Sequence, residues 1–216
     1  MTIAQGHLVL VVGPSGAGKD SVMVGARAAL RGDGGVVFPR RFVTRLSSPD
    51  AEDHVSMTEA EFSVAVAEGA FALWWQAHGN SYGIGRVIES YLEAGATVVV
   101  NCSRASVSEA CRHFASVAVI EITAPEDVLV SRIMARGRET AEQARERVAR
   151  KVPDYPPGVR VVRIVNDGPL ELAVARFCEV LKNPVAYPGG SSLDRDDEKK
   201  DRDDDGRGLV VVEHLQ

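Results

Sequence analysis

The sequence predicts an α/β fold, a mostly parallel five-stranded sheet with helices on both faces, and three observations carry that prediction. Apolar, largely β-branched runs recur at residues 8–12, 97–100, 117–123 and 159–165, the pattern of strands buried on both sides. Between them lie stretches with helical start and stop signals, and short alternating strands and helices favour parallel connections. The first run breaks directly into a glycine-rich turn that opens a helix, reading LVLVVGPSGAGKDS over residues 8–21.

That turn has Walker A spacing: Gly13, then Pro14, Ser15, Gly16 and Ala17, then Gly18 and Lys19. Glycines let main-chain amides approach an anion, and the positive end of the following helix adds to the seat. The loop therefore predicts a site for the β- and γ-phosphates of a nucleotide, with Lys19 adding a full charge. The position after the lysine usually carries Ser or Thr for magnesium. Here it is Asp20, and a hydroxyl follows only at Ser21. A carboxylate serves Mg²⁺ directly or through water, so Asp20 and Ser21 are the candidate metal-holding residues.

Taken in order, residues 19–30 read as the first helix, stopped by the glycines at 32–35, and residues 36–38 as a short strand. Arg40, Arg41 and Arg45 then lead into a polar, loop-like region at 46–56. Thr58 and Glu61 have capping-box spacing for a helix ending near Gly69. Residues 71–77 read as a strand, 78–83 as a turn, 86–94 as a helix closed by Gly95, and 97–100 as a buried strand. Residues 104–114 follow as a helix, 117–123 as a strand, and Pro125 starts a helix to about residue 135. Arg136, Gly137 and Arg138 interrupt it. Thr140 and Gln143 can cap a helix to about residue 151, a proline-rich break covers 153–158, and a strand (159–165) and a helix (167–181) complete the domain.

Composition bounds the rest. The 216 residues, 45% hydrophobic and 25% charged, suit one α/β domain over residues 1–186. Residues 187–216 read as a disordered acidic tail, with nine acids and five bases between Asp194 and Glu213. Such a tail is a solvating segment or a partner-binding one, and residues 209–212 are apolar enough to dock. A net charge of −5 gives no electrostatic footprint for nucleic acid. Cys102, Cys111 and Cys178 lack metal-ligand spacing and read as reduced thiols in a cytoplasm. No export signal or run of about 18 apolar residues indicates a membrane span. The oligomeric state is left open.

The arginines carry the next layer. Arg132 and Arg136 share a helix face, Arg138 lies in the loop, and Arg147 and Arg150 lie on the next helix. Phosphoryl transfer asks the protein mainly to position reactants and neutralise charge, and an arginine-bearing lid does both. Arg45 and Tyr82 form a second pair suited to gripping an acceptor phosphate.

These residues together resemble the guanylate kinase branch of the P-loop kinases over about residues 8–181: GPSGAGK, Thr44-Arg45, Gly79-Asn80-Ser81-Tyr82-Gly83, Arg132 with Arg136-Gly137, Arg147 and Asn166-Asp167. The departures fall where guanine is recognised. The second arginine after Thr44-Arg45 is missing, His54 stands at a tyrosine position, and Leu73 replaces an acid. Ile84 replaces a small hydroxyl residue, and Asn101-Cys102-Ser103 replaces an Asp-x-Asp. The same departures are similar to the ribose 1,5-bisphosphate phosphokinase family, as are GPSGxGKDS, Asn101 to Ala105, and Arg136-Gly137-Arg138-Glu139.

That resemblance implies an ATP-dependent, magnesium-requiring kinase of phosphonate breakdown that makes 5-phosphoribosyl 1-diphosphate from ribose 1,5-bisphosphate. It implies an acceptor-binding insertion and an arginine-bearing lid. Arg41, Arg45, Tyr82, Asn101 and Arg104 would bind the sugar phosphate; Lys19, Arg132, Arg136, Arg138 and Arg147 would surround the transferring phosphoryl; Asn166 would lie near the adenine. A nucleoside monophosphate kinase and a non-catalytic interaction module are the alternatives left open.

Overall fold

The structure, a computed structural model, describes residues 6–45, 54–77, 79–135, 137, 140–149, 154–182, 184 and 210–213. The apolar run His7–Val12 (β1) forms the middle of a parallel sheet. Thr97–Asn101 (β7) and Val36–Val37 (β2) lie to one side, and Val117–Thr123 (β8) and Arg160–Val165 (β9) to the other, giving the order β9-β8-β1-β7-β2. This is the expected five-stranded sheet. Val210–Glu213 (β10) adds a sixth strand, parallel to β9 at the sheet edge. These four residues fall in the segment read as a disordered tail, at the run expected to be apolar enough to dock, and their three valines add to the backbone edge of β9. The other tail residues, 185–209 and 214–216, lie outside the described residues.

Alternation along β1 divides the core between two faces. Val9 and Val11 face the helices Lys19–Ala29 (α1) and Leu170–Lys182 (α7), packing with Val22, Ala26, Ala173 and Phe177. Leu8, Leu10 and Val12 face the other way, toward Ile88 of Val87–Glu93 (α3) and Val107 and Ala110 of Val107–His113 (α4). Every one of these side chains is essentially excluded from water. Burial of each of the larger ones favours folding by about 1.5–3 kcal/mol.

A second, four-stranded sheet stands on that second face. Its order is His54–Ser56 (β4), Arg41–Val43 (β3), Asn80–Gly85 (β6) and Phe71–Ala77 (β5). β5 and β6 are antiparallel, as are β3 and β6, while β3 and β4 are parallel. The sequence reading differs here in two places. His54–Ser56 is a strand rather than loop, and residues 80–83 continue as strand rather than turn, because both find backbone partners across β3 and β5. Glu59–Ala67 (α2) packs Phe62 against Phe71 of β5. Its predicted capping box forms: the Glu61 amide donates to Thr58 Oγ1 at 3.2 Å and the Thr58 amide to Glu61 Oε2 at 2.7 Å. The second predicted box forms on Ala141–Val148 (α6), between Thr140 and Gln143. Glu126–Met134 (α5) packs against α6. The predicted helix at 104–114 begins instead with a 3-10 turn, Arg104–Ser106, before α4. Among the described residues no helix is long and apolar enough to cross a membrane.

Candidate active site

The loop between β1 and α1 is fixed by close backbone approaches. A Cβ at Gly13, whose φ is 144°, would lie 1.9 Å from the Ile122 carbonyl oxygen, so the loop crosses the end of β8 where only glycine fits. Gly18, at φ 85°, caps α1 in the left-handed region, and a Cβ there would meet Asn166 Nδ2 at 2.5 Å. Asn166 is itself buried and braces the loop, its Nδ2 donating to the Ala17 carbonyl at 2.8 Å. Its backbone amide donates to Thr123 O at 2.7 Å, and its carbonyl accepts from the Arg132 guanidinium at 2.7 Å. Arg132 thereby ties the end of α5 to the wall of the phosphate loop. Lys19 Nζ donates to the carbonyls of Gly13 at 2.8 Å and Pro14 at 3.0 Å, which holds the ammonium over the loop formed by Pro14, Ser15, Gly16 and Ala17.

Asp20 and Ser21 are exposed on the first turn of α1. Asn101, buried at the end of β7, donates its Nδ2 to Asp20 Oδ1 at 2.7 Å, and its carbonyl accepts from Arg41 at 3.1 Å. The Arg41 guanidinium in turn lies 5.4 Å from the centre of the Tyr82 ring, which stacks on Trp75 at 5.5 Å and 7°. A continuous chain of contacts thus runs from Asp20 through Asn101 and Arg41 to Tyr82. Asn101, expected on the sugar phosphate, has its side-chain amide on Asp20.

Among the described residues no group of three or more His, Cys, Asp or Glu could hold a metal unaided. Magnesium suits that donor set, since it keeps several waters and takes its remaining oxygens from one or two side chains and from phosphates. Asn101 engages one Asp20 oxygen, and a carboxylate has a second. Cys102 follows directly, and burial pushes its thiol up to about 12, outweighing the opposite pull of the Arg41 and Lys19 charges. A thiol held protonated is no nucleophile.

On the acceptor side, the Thr44 hydroxyl accepts from the Ser81 amide at 2.8 Å and the Thr44 amide donates to Ser81 O at 3.1 Å. These bonds set Arg45, which is exposed, beside the strand of Tyr82. His54 is buried, within 3.3 Å of the Arg45 carbonyl through Nε2, and its own carbonyl accepts from Arg40 at 3.0 Å. Leu73 and Ile84 are direct cross-strand partners, 3% and 0% exposed, inside the main apolar cluster. Ser103 Oγ accepts from the Ala105 amide at 3.3 Å and so caps its own turn.

Arg104, expected on the sugar phosphate, is held by a buried carboxylate. Its guanidinium forms an ion pair with Glu121, a carboxylate only 3% exposed on β8, and Arg163 Nε donates to the other Glu121 oxygen at 3.0 Å. Arg147 is half-buried on α6. Arg136, Arg138 and Arg150 lie outside the described residues. Glu121, Arg163 and Tyr155 were not singled out from sequence. The available signal was a charge interrupting each of two apolar strands, VAVIEIT and RVVRIV, at positions that prove to be register partners.

The chain is 43% identical over 184 residues to a ribose 1,5-bisphosphate phosphokinase from Thiobacillus denitrificans, covering 85% of this chain and 97% of that one. A protein of the same name from Bradyrhizobium diazoefficiens is 44% identical over 181 residues, 84% of this chain and 90% of its own. A bifunctional ribose 1,5-bisphosphokinase-thymidine phosphorylase from Cupriavidus pinatubonensis is 47% identical over 179 residues, 83% of this chain; the chain spans only 30% of that relative's length. Among solved structures, guanylate kinase from Anaplasma phagocytophilum superposes with a TM-score of 0.61 at 15% identity, over 85% of this chain and 88% of that one, a likeness of fold. No family model matches the chain. With near full-length relatives at this identity and the loop, Thr44-Arg45 and Asn101 in place, the chain belongs to the ribose 1,5-bisphosphate phosphokinase family.

Proposed function

We propose that this chain transfers the γ-phosphoryl group of ATP to the 1-phosphate of ribose 1,5-bisphosphate, giving 5-phosphoribosyl 1-diphosphate and ADP, the step that the family resemblance assigns to phosphonate breakdown. The observation that carries the reading is the sealing of Leu73 and Ile84 in the core beside a complete phosphate loop. A purine edge would find no hydrogen-bonding partner at those two positions, whereas Arg41, Arg45 and Tyr82 supply charge and a hydroxyl for a phosphate.

In this reading the loop amides and Lys19 hold the donor phosphates, and their fixed dipoles need no reorganisation as charge develops. Asp20, with Ser21, would hold magnesium, which when bound neutralises and orients the donor phosphates. Asn101 keeps Asp20 and Arg41 in register, so donor and acceptor are positioned by one residue. Arg132 uses one of its five N–H donors on Asn166 and, with Arg136, Arg138 and Arg147, would close over the transferring phosphoryl. No general base is required, because the acceptor phosphate is already an anionic nucleophile near neutral pH. Incubation with ATP, Mg²⁺ and ribose 1,5-bisphosphate, followed by ³¹P NMR, tests the reading. Two mutually coupled diphosphate doublets attached at C1 are expected, and an unchanged acceptor spectrum would overturn it.

A further inference from the structure

The reaction above uses the 1-phosphate and leaves the 5-phosphate of the acceptor as a spectator that must still be held. We propose that Arg104 and Arg163, fixed by the buried carboxylate of Glu121, form the seat of that second phosphate; the inference rests on the proposed substrate. Glu121 is almost wholly buried, while the Arg104 and Arg163 side chains are 21% and 35% exposed. Each carboxylate oxygen takes one guanidinium, Oε1 for Arg104 and Oε2 for Arg163, so the two arginines are held side by side with an outer edge toward solvent. Two positive charges and one negative leave a net positive centre. A planar guanidinium with further N–H donors is suited to grip a phosphate.

A third group faces the same place. The Tyr155 hydroxyl is buried beside Glu121. Burial first, then the Glu121 charge, push its pKa up against the lowering by Arg104 and Arg163, so it keeps its proton and turns it to the Glu121 carboxylate. Tyr155 packs on the cluster that includes Trp75 and Tyr82, and β5 packs on the Arg104–Ser106 turn, which puts this centre on the acceptor side of the sheet. Arg41 is anchored at the end of β7, and Glu121 lies on β8 with β1 between them. At a strand spacing of about 4.8 Å the two cationic centres are on the order of 10 Å apart. A pentose with phosphates at C1 and C5 bridges such a span with one arginine contact at each end.

The test compares acceptors with and without the second phosphate. Arg163→Ala should cut kcat/KM for ribose 1,5-bisphosphate at least about 10-fold more than for ribose 1-phosphate, the loss appearing mainly in KM. Arg163→Lys should keep part of the preference, and Glu121→Gln, which releases both arginines, should lose it in the same direction while circular dichroism shows a folded protein. Ribose 5-phosphate, which carries only the spectator phosphate, should bind to wild type in calorimetry and at least about 10-fold more weakly to Arg163→Ala. Equal losses for both acceptors, or unchanged ribose 5-phosphate binding, would overturn the seat. Failure of wild type to turn over ribose 1,5-bisphosphate would instead remove the substrate reading and leave the ribose 5-phosphate measurement to decide this site.

Discussion

The loop after β1 and the small sheet that carries Tyr82 meet at Asn101, yet they are specified in different ways. The loop is a backbone device. Its shape follows from glycines at 13 and 18 that accept positive φ and near contact with Ile122 O and Asn166 Nδ2, and its ligands are amides that every residue has. The acceptor side is a side-chain device, assembled from β3, β5, β6, the end of β7 and the 3-10 turn, and its selectivity lies in what each side chain offers. A phosphate seat made of amides is tolerant of what is attached to the phosphate. An acceptor side that presents Tyr82 and arginines, with Leu73 and Ile84 sealed in the core behind them, is not, since each unmatched polar group costs about 1–3 kcal/mol when buried.

If that division holds, damage to the two regions separates cleanly. Lys19→Ala removes the only full charge of the loop and should lower kcat at least about 100-fold while the protein stays folded, since loss of such a preorganised charge costs on the order of 2.7 kcal/mol or more in the transition state. Steady-state kinetics beside circular dichroism checks it, and turnover within about threefold of wild type would dissolve the loop mechanism. Asn101→Ala strikes the junction. It deletes a 2.7 Å bond to the Asp20 carboxylate and loosens the strand end that holds Arg41, so KM should rise about 10-fold for both ATP·Mg²⁺ and the acceptor. An effect on one substrate alone would show that the junction does not couple the halves.

Arg45→Ala belongs to the acceptor side only and should raise the acceptor KM several-fold, on the order of 1 kcal/mol for a half-solvated charge contact, with ATP affinity retained. The smallest effect is expected at Cys102, between the two regions. A buried thiol whose pKa is raised to about 12 should resist alkylation in the folded protein at pH 8. Its proton is held more tightly in the folded than in the unfolded chain, so its contribution to stability is whole below about pH 8.5 and is lost as the pH rises toward the folded value. Mass spectrometry after iodoacetamide treatment reads the first expectation, and chemical denaturation across pH reads the second. Rapid labelling of Cys102 would show that the junction opens.

The same contrast explains what the sequence disclosed. The five-stranded sheet, both capping boxes and the loop were legible because their determinants are local: β-branched runs, Thr58 and Glu61 three apart, and glycines at fixed offsets from Lys19. The small sheet was only partly legible. Residues 80–83 have turn-like composition and become strand only because β3 and β5 flank them, and His54 is buried through contacts with Arg40 and Arg45 that no local pattern announces. The setting of Arg104 was not legible for the same reason. Its partner Glu121 is distant in sequence and comes to it only when the chain returns through β8. For Asn166 the resemblance implies a place near the adenine, and the contacts that no local pattern announces are those that brace Ala17 and receive Arg132.

The central claim is that positions 73, 84 and 103 offer no hydrogen-bonding edge for a base, and a comparison of kcat/KM for ribose 1,5-bisphosphate and GMP at fixed ATP and Mg²⁺ tests it most directly. With Leu73 and Ile84 sealed together and Ser103 capping its own turn, the sugar bisphosphate should be preferred by at least about 100-fold. GMP turning over as well as ribose 1,5-bisphosphate would contradict the account and make the chain a nucleotide kinase.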